Sequence, residues 1–397
     1  MAAVGEARPI VIAGGGIGGL ATAMGLAQKG FRSILLEKAA SLGEIGAGIQ
    51  LGPNAFHAFD YLGVGEAARG MAVYVDQLRL MDALTAQEIT HVDLREDFRK
   101  RFGNPYAVVH RGDLHGVFLR ACQNHELVEL RVNSEVVGYD QDASSVTVRL
   151  ANGGRVTGSL LIGADGLWSN IRRQVAADGP PLVSGHTTYR SVIPTEQMPE
   201  DLRWNAATLW AGPKCHIVHY PLSGWKVFNL VVTYHNDAPE PVAGKPVADE
   251  EVMQGFGHVH ERAKDIIRHG KNWRLWVLCD RDPNERWVDG RVVLLGDAAH
   301  PMLQYFAQGA CQAMEDAVCL SHMLAQYDDY ATALEHYRAQ RFPRTAKVQL
   351  LSRAIGEHIY HPAGEHARLR NAIMGAKTQE EWCGDLAWLY GGTGLGG

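Results

Sequence analysis

The opening of the chain restricts the fold more than any other feature. Pro9 to Ala13 (PIVIA) is a short apolar run, Gly14-Gly15-Gly16-Ile17-Gly18-Gly19 follows it, and Leu20 to Lys29 has helical spacing up to Gly30. An apolar run punctuated by glycine reads as a strand buried on both faces, and the periodicity after it as a helix. Ser33 to Glu37 is a second such strand, ending in a carboxylate. Together they make a βαβ unit, which requires a parallel sheet with the connecting helix packed on its face.

Gly14, Gly16 and Gly19 satisfy the spacing G-x-G-x-x-G. The first glycine turns the chain, the second lets backbone approach a pyrophosphate, and the third lets helix and strand pack closely. The phosphates then sit on the helix N-terminus, where free N–H groups and the helix dipole favour negative charge. Glu37, with Lys38 beside it, ends the second strand where a carboxylate accepts both ribose hydroxyls of an adenosine. The pattern therefore predicts a bound dinucleotide, but these contacts are common to FAD and NAD.

The rest of the chain narrows the class. Its 397 residues, 46% apolar and 21% charged, suit a globular protein of more than one domain. A net charge of -6, with the basic knot Arg99-Lys100-Arg101 beside Glu96 and Asp97, argues against nucleic acid as a partner. Six scattered cysteines without a CxxC pair argue against a disulfide framework and a thiolate metal site, and make a reducing cytoplasm the expected location. No basic start with an apolar run marks a secretory signal, and no apolar stretch approaches the ~20 residues of a membrane span. No metal is expected either. His258 and His260 point apart on a helix, and Pro362 interrupts the group His358, His361 and His366.

After Asp76 the pattern turns to β-type alternation at Gln77 to Met81 and Ile89 to Leu94, then to a helix at Asp113 to Glu126. Tyr189 to His235 reads as an antiparallel sheet, Arg291 to Leu295 as a buried strand and Gly309 to Ala325 as a helix. Beyond Tyr330 helix-forming sequence is broken at Phe342-Pro343 and His361-Pro362. The expected fold is α/β. Residues 1–75, 102–180 and 270–345 form a Rossmann-like nucleotide domain, 76–101 and 181–269 an inserted β-sheet substrate domain, and 346–397 a helical C-terminal region. Trp382, Trp388 and Tyr390 in that region read as packing or a subunit interface.

Two later motifs add to the first. Gly163-Ala164-Asp165-Gly166 with Ser169 and Arg172, and Leu295-Gly296-Asp297-Ala298-Ala299-His300-Pro301, follow the glycine fingerprint in order. The set resembles the single-component flavoprotein aromatic hydroxylases, the group that includes salicylate and p-hydroxybenzoate hydroxylases, over nearly the whole chain. That resemblance implies non-covalent FAD, NADH as co-substrate, O2 and a small aromatic acid as further partners, and a homodimer. It places Asp165 at FAD and the reduced nicotinamide, and Asp297 on the flavin's ribityl chain. Arg111, in His110-Arg111-Gly112-Asp113, corresponds to an arginine contacting FAD. Gly309 and Ala310 begin a helix whose N–H groups face the flavin pyrimidine. Cys311 stands where the family often has Asn.

Three stretches, Asn104-Pro105-Tyr106, Gly212 to His216 with Tyr220-Pro221-Leu222, and His300 to Tyr305, resemble members that hydroxylate a hydroxybenzoate para to its hydroxyl. Para attack on a phenol requires electron density in the ring, which loss of the phenolic proton supplies, and a histidine is a suitable base. Strand alternation puts His216, Val218 and Tyr220 on one face, Ile217 and His219 on the other. His216 is therefore assigned as the base and Gln304 as its hydrogen-bond partner, with Tyr106, Tyr220 and Gln304 at the substrate. A salicylate or hydroxypyridine-carboxylate hydroxylase is the alternative within the family, and a flavin-binding protein without oxygenase activity the alternative outside it.

Overall fold

The computed structural model describes residues 8–43 and 47–393. Its centre is a six-stranded sheet in the order Val288–Asp289, Val292–Leu294, Leu160–Gly163, Ile10–Ala13, Ser33–Leu36 and Val128–Arg131. All neighbours are parallel except the edge pair Val288–Asp289 with Val292–Leu294. The strands Ile10–Ala13, Ser33–Leu36 and Leu160–Gly163 are buried along their whole length, which is why their sequences are continuous rather than alternating.

Helix Ile17–Gln28 is buried on nearly every side because the sheet lies under it and helix Gly309–Gln326 over it. A side chain at Gly25 would stand 2.8 Å from the Ser321 hydroxyl, so small residues set how closely these two helices approach.

The second layer is an eight-stranded sheet in the order Ala243–Pro246, Arg274–Asp280, Leu182–Pro194, Val227–His235, Cys215–Leu222, Ala206–Gly212, Gln77–Asp82 and Glu88–Asp93. Gln77–Asp82 runs parallel to Ala206–Gly212, which joins the two inserted pieces of chain into one sheet. One face packs on helix Glu261–His269 through Trp210, Ile217, Phe228, Leu230 and Ile266. The other covers the nucleotide half.

Two expectations are corrected. Arg274–Asp280 pairs with Leu182–Pro194, so the second sheet extends past residue 270. Its strand-forming sequence is local, but its partner is a distant segment. Helix Tyr330–Ile355 runs through Pro343 without a break. An internal proline costs roughly 3 kcal/mol, and packing offsets it here: Arg341 and Arg344, on either side, bind Glu315 of the neighbouring helix. The chain does turn at His361-Pro362, after a widened helical turn at Gly356–Tyr360. Tyr390 packs edge-on against Phe98, Phe102 and Tyr106, and Trp388 lies under Lys347 and Arg344. Among the described residues no helix is long and apolar enough to cross a membrane.

Candidate functional site

A cavity of about 920 Å³ lies between the two sheets. Gly14, Gly16, Glu37, Lys38, Arg111, Asp165, Asp297, Gly309 and Ala310 line it, and so do His216, Tyr220 and Gln304. The sequence assigned these residues from segments far apart, and the fold brings them to one wall or another of the same space.

Two helix N-termini open into it. Gly16 precedes helix Ile17–Gln28 and Gln308 precedes helix Gly309–Gln326, and neither has a side-chain cap or an acidic residue in its first turn. Their first N–H groups are thus left for a ligand, and the positive dipole ends favour an anionic one. Gly14 has φ +108°, a conformation for glycine, and a side chain there would stand 2.3 Å from the Ala164 carbonyl oxygen.

Gly19 lies beneath the cavity rather than on it, and a β-carbon there would stand 2.0 Å from the Gly14 carbonyl oxygen. Gly19→Ala is accordingly expected to force the turn outward. It should cost on the order of 1–3 kcal/mol and weaken FAD binding, as read from the urea midpoint and a flavin fluorescence titration.

Glu37 is preset. Its Oε2 accepts from Gly15 N at 2.8 Å and its Oε1 from Ala39 N at 2.8 Å, which fixes the carboxylate at the strand end. Asp165 accepts from the Ser169 hydroxyl at 2.5 Å and Asn170 N at 2.8 Å, while burial holds its carboxyl above its usual range. Arg172, fully buried, donates to the Ala298 carbonyl at 2.9 Å and is ion-paired to Asp178, so it ties this segment to the loop carrying Asp297. Asp297 is the one exposed residue between Val292 and Pro301, and it faces the cavity. Two uncapped helix ends, a preset carboxylate at a strand end and a second carboxylate on a braced loop suit the pyrophosphate, ribose and ribityl groups of FAD.

The opposite wall is the second sheet. His216, Val218 and Tyr220 face the cavity, as alternation requires, and Ile217 lies in the core behind. His216 is almost fully buried, and its Nδ1 meets His361 Nε2 at 2.8 Å. Burial first, then the neighbouring His361 and His186, hold the imidazole well below its ordinary value, which keeps it in the neutral form.

The assigned partnership with Gln304 is corrected. Gln304 accepts from Arg190 Nη2 at 2.7 Å and donates to the Thr188 and Thr233 hydroxyls at 3.1 and 3.2 Å. The strand pairing of Thr188 with Thr233 sets these two acceptors side by side, and Gln304 bridges them instead of reaching the imidazole. Tyr106 is also corrected as a lining residue. It is buried behind Gln50, to whose Oε1 it donates at 2.7 Å, and Gln50 faces the cavity. Arg190, Gln50 and Tyr360 line the cavity without having been singled out. An arginine in the β-type run Thr187 to Val192, on the same face as Thr188, was the available signal for Arg190.

Fold and site together define a flavoprotein, and sequence comparison agrees. Residues 7–351 match the family described as FAD binding domain, and the chain belongs to it, within the single-component flavoprotein aromatic hydroxylases. It is 56% identical over 382 residues to 3-hydroxybenzoate 6-hydroxylase 1 of Aquipseudomonas alcaligenes, covering 96% of this chain and 97% of the relative. It is 48% identical to 3-hydroxybenzoate 6-hydroxylase of Klebsiella oxytoca, covering 96% of each. Among solved structures, that of Klebsiella pneumoniae HpxO complexed with FAD and uric acid superposes with a TM-score of 0.85 at 25% identity, covering 96% of both chains.

Proposed function

We propose that this enzyme hydroxylates 3-hydroxybenzoate para to its hydroxyl, giving gentisate (2,5-dihydroxybenzoate) and consuming NADH and O2. The observation that carries this reading is that His216 shares one cavity with the two uncapped helix ends and the carboxylates suited to FAD. The names of the relatives support the substrate.

Bound FAD supplies the chemistry that accepts hydride from NADH and activates O2. The residues of the chain do the rest. His216 takes the phenolic proton through its cavity-facing nitrogen, and the resulting phenolate directs attack to the para carbon. Tyr220 contacts the ring from the same strand face. Gln304, pinned by Arg190 and two threonines, offers no freely turning amide and fixes one edge of the pocket. Arg190 lies close enough to Arg111 for the two cations to repel, and both face the cavity, which favours an acidic substrate. Roofing by the second sheet keeps water from the reacting atoms.

The test is NADH consumption by the FAD-loaded protein with 3-hydroxybenzoate, salicylate and a hydroxypyridine carboxylate in parallel. Stimulation by 3-hydroxybenzoate above the other two is expected. Preference for either of the others contradicts the substrate assignment, and no stimulation by any aromatic acid contradicts the oxygenase reading itself.

A further inference from the structure

His361 is one of three C-terminal histidines without metal-ligand spacing. In the fold it stands directly behind the proposed base. Its ring lies nearly parallel to that of His216, 28° apart with centroids at 5.0 Å, and the 2.8 Å contact joins His361 Nε2 to His216 Nδ1. His216 lines the cavity and His361 does not, so the two nitrogens of His216 face different ways: Nδ1 back to His361, Nε2 toward the substrate space.

The histidines continue outward. His186 meets His361 edge to face with centroids 5.2 Å apart, and His235 meets His186 at 4.1 Å. His235 is 33% exposed and pairs at 3.3 Å with Asp237, which is on the surface. Tyr305 lies among the first three rings and its hydroxyl bonds His186 Nδ1, while Tyr360 packs edge-on to His216. These phenols are pushed up by burial, and so stay protonated. A run of imidazoles thus leads from the cavity wall to solvent.

The run answers a difficulty in the proposed chemistry. A proton left on His216 makes a buried cation flanked by other histidines, which burial opposes. We propose that His361 takes up the proton that His216 releases from Nδ1 and passes it toward solvent. This inference rests on the reading of His216 as the base.

In the step, the substrate O–H bond breaks as an N–H bond forms at His216 Nε2. The His216 Nδ1–H bond breaks as an N–H bond forms at His361 Nε2. His361 gives up the proton on its Nδ1 to water. One proton moves from phenol to solvent, every ring ends neutral, and nothing is oxidised or reduced. His361 acts through His216 and is a positioning and relay residue.

The experiment mixes FAD-loaded full-length protein anaerobically with 3-hydroxybenzoate and follows phenolate formation by ultraviolet absorbance in wild type, His361→Gln and His361→Ala. Substrate dissociation constants come from the flavin absorbance change. Glutamine keeps a hydrogen bond to His216 but cannot pass a proton between two ring nitrogens. Both variants are expected to ionise the substrate on the order of 10²-fold more slowly with an unchanged dissociation constant, and added imidazole to restore His361→Ala but not His361→Gln. Ionisation by His361→Gln at the wild-type rate overturns the relay while leaving His216 as base. If wild type binds 3-hydroxybenzoate without ionising it, the reading beneath the relay fails as well.

Discussion

His216→Ala is expected to lower kcat for hydroxylation about 10²- to 10⁴-fold, the usual contribution of a positioned acid–base group, while FAD stays bound. The histidine lies on the second sheet, and the residues suited to FAD lie on the helix ends and the nucleotide sheet across the cavity. Removing the imidazole therefore leaves the flavin half untouched. Steady-state kinetics with product quantitation checks this, with bound flavin measured from its visible absorbance. Because the lost step is ionisation of the phenol, the variant should regain rate as pH rises and more substrate arrives as phenolate. A variant that stays near the wild-type rate removes His216 from the mechanism.

Arg341→Met should unfold the protein far more easily, by about 3–5 kcal/mol, because it strips the cation from a buried charge network. Arg341 Nε donates to Asp316 Oδ1 at 2.7 Å and its Nη1 to Glu315 Oε2 at 2.6 Å, and all three side chains are fully buried. Arg344 adds bonds of 2.7 and 2.8 Å to Glu315. Methionine fills much of the same volume but leaves Asp316 with only the Gly296 N–H and His300, while Glu315 keeps Arg344. Thermal unfolding followed by circular dichroism reads the loss.

Flavin release should accompany unfolding or precede it. Asp316 Oδ2 accepts from Gly296 N at 3.0 Å and from His300 Nε2 at 2.5 Å, so the network also holds the loop that presents Asp297. The network predicts a pH dependence too. Burial pushes the Asp316 carboxyl up, but His300 and Arg341 outweigh it and hold it below its ordinary value. A depressed carboxyl stabilises the fold above its unfolded value of about 3.9, and that stabilisation is lost as pH falls through the lower folded value. The gap between wild type and Arg341→Met should therefore narrow in acid.

What was legible in the sequence follows the range of the interactions. The glycine turn, the strand ending at Glu37 and the buried helix Gly309–Gln326 are set by local periodicity and punctuation, and they stand where expected. The face shared by His216, Val218 and Tyr220 follows from strand alternation alone.

The rest depends on partners distant in the chain. His361 lies 145 residues from His216, and Tyr106 lies 56 residues from the Gln50 it supports. Gln304 was paired with the wrong partner because nothing local says that Thr188 and Thr233 stand opposite each other. Pro343 signalled a helix break, and only the arginines flanking it, acting on another helix, explain why there is none.

The proposed reaction inserts one oxygen atom from O2 into 3-hydroxybenzoate, para to the hydroxyl. The most direct measurement is turnover of the FAD-loaded protein with NADH and 3-hydroxybenzoate under ¹⁸O2, identifying the product by chromatography and mass. Gentisate carrying one heavy oxygen atom, formed in proportion to NADH consumed, is expected. NADH oxidation that yields only hydrogen peroxide, or a product hydroxylated at another carbon, contradicts the proposed reaction.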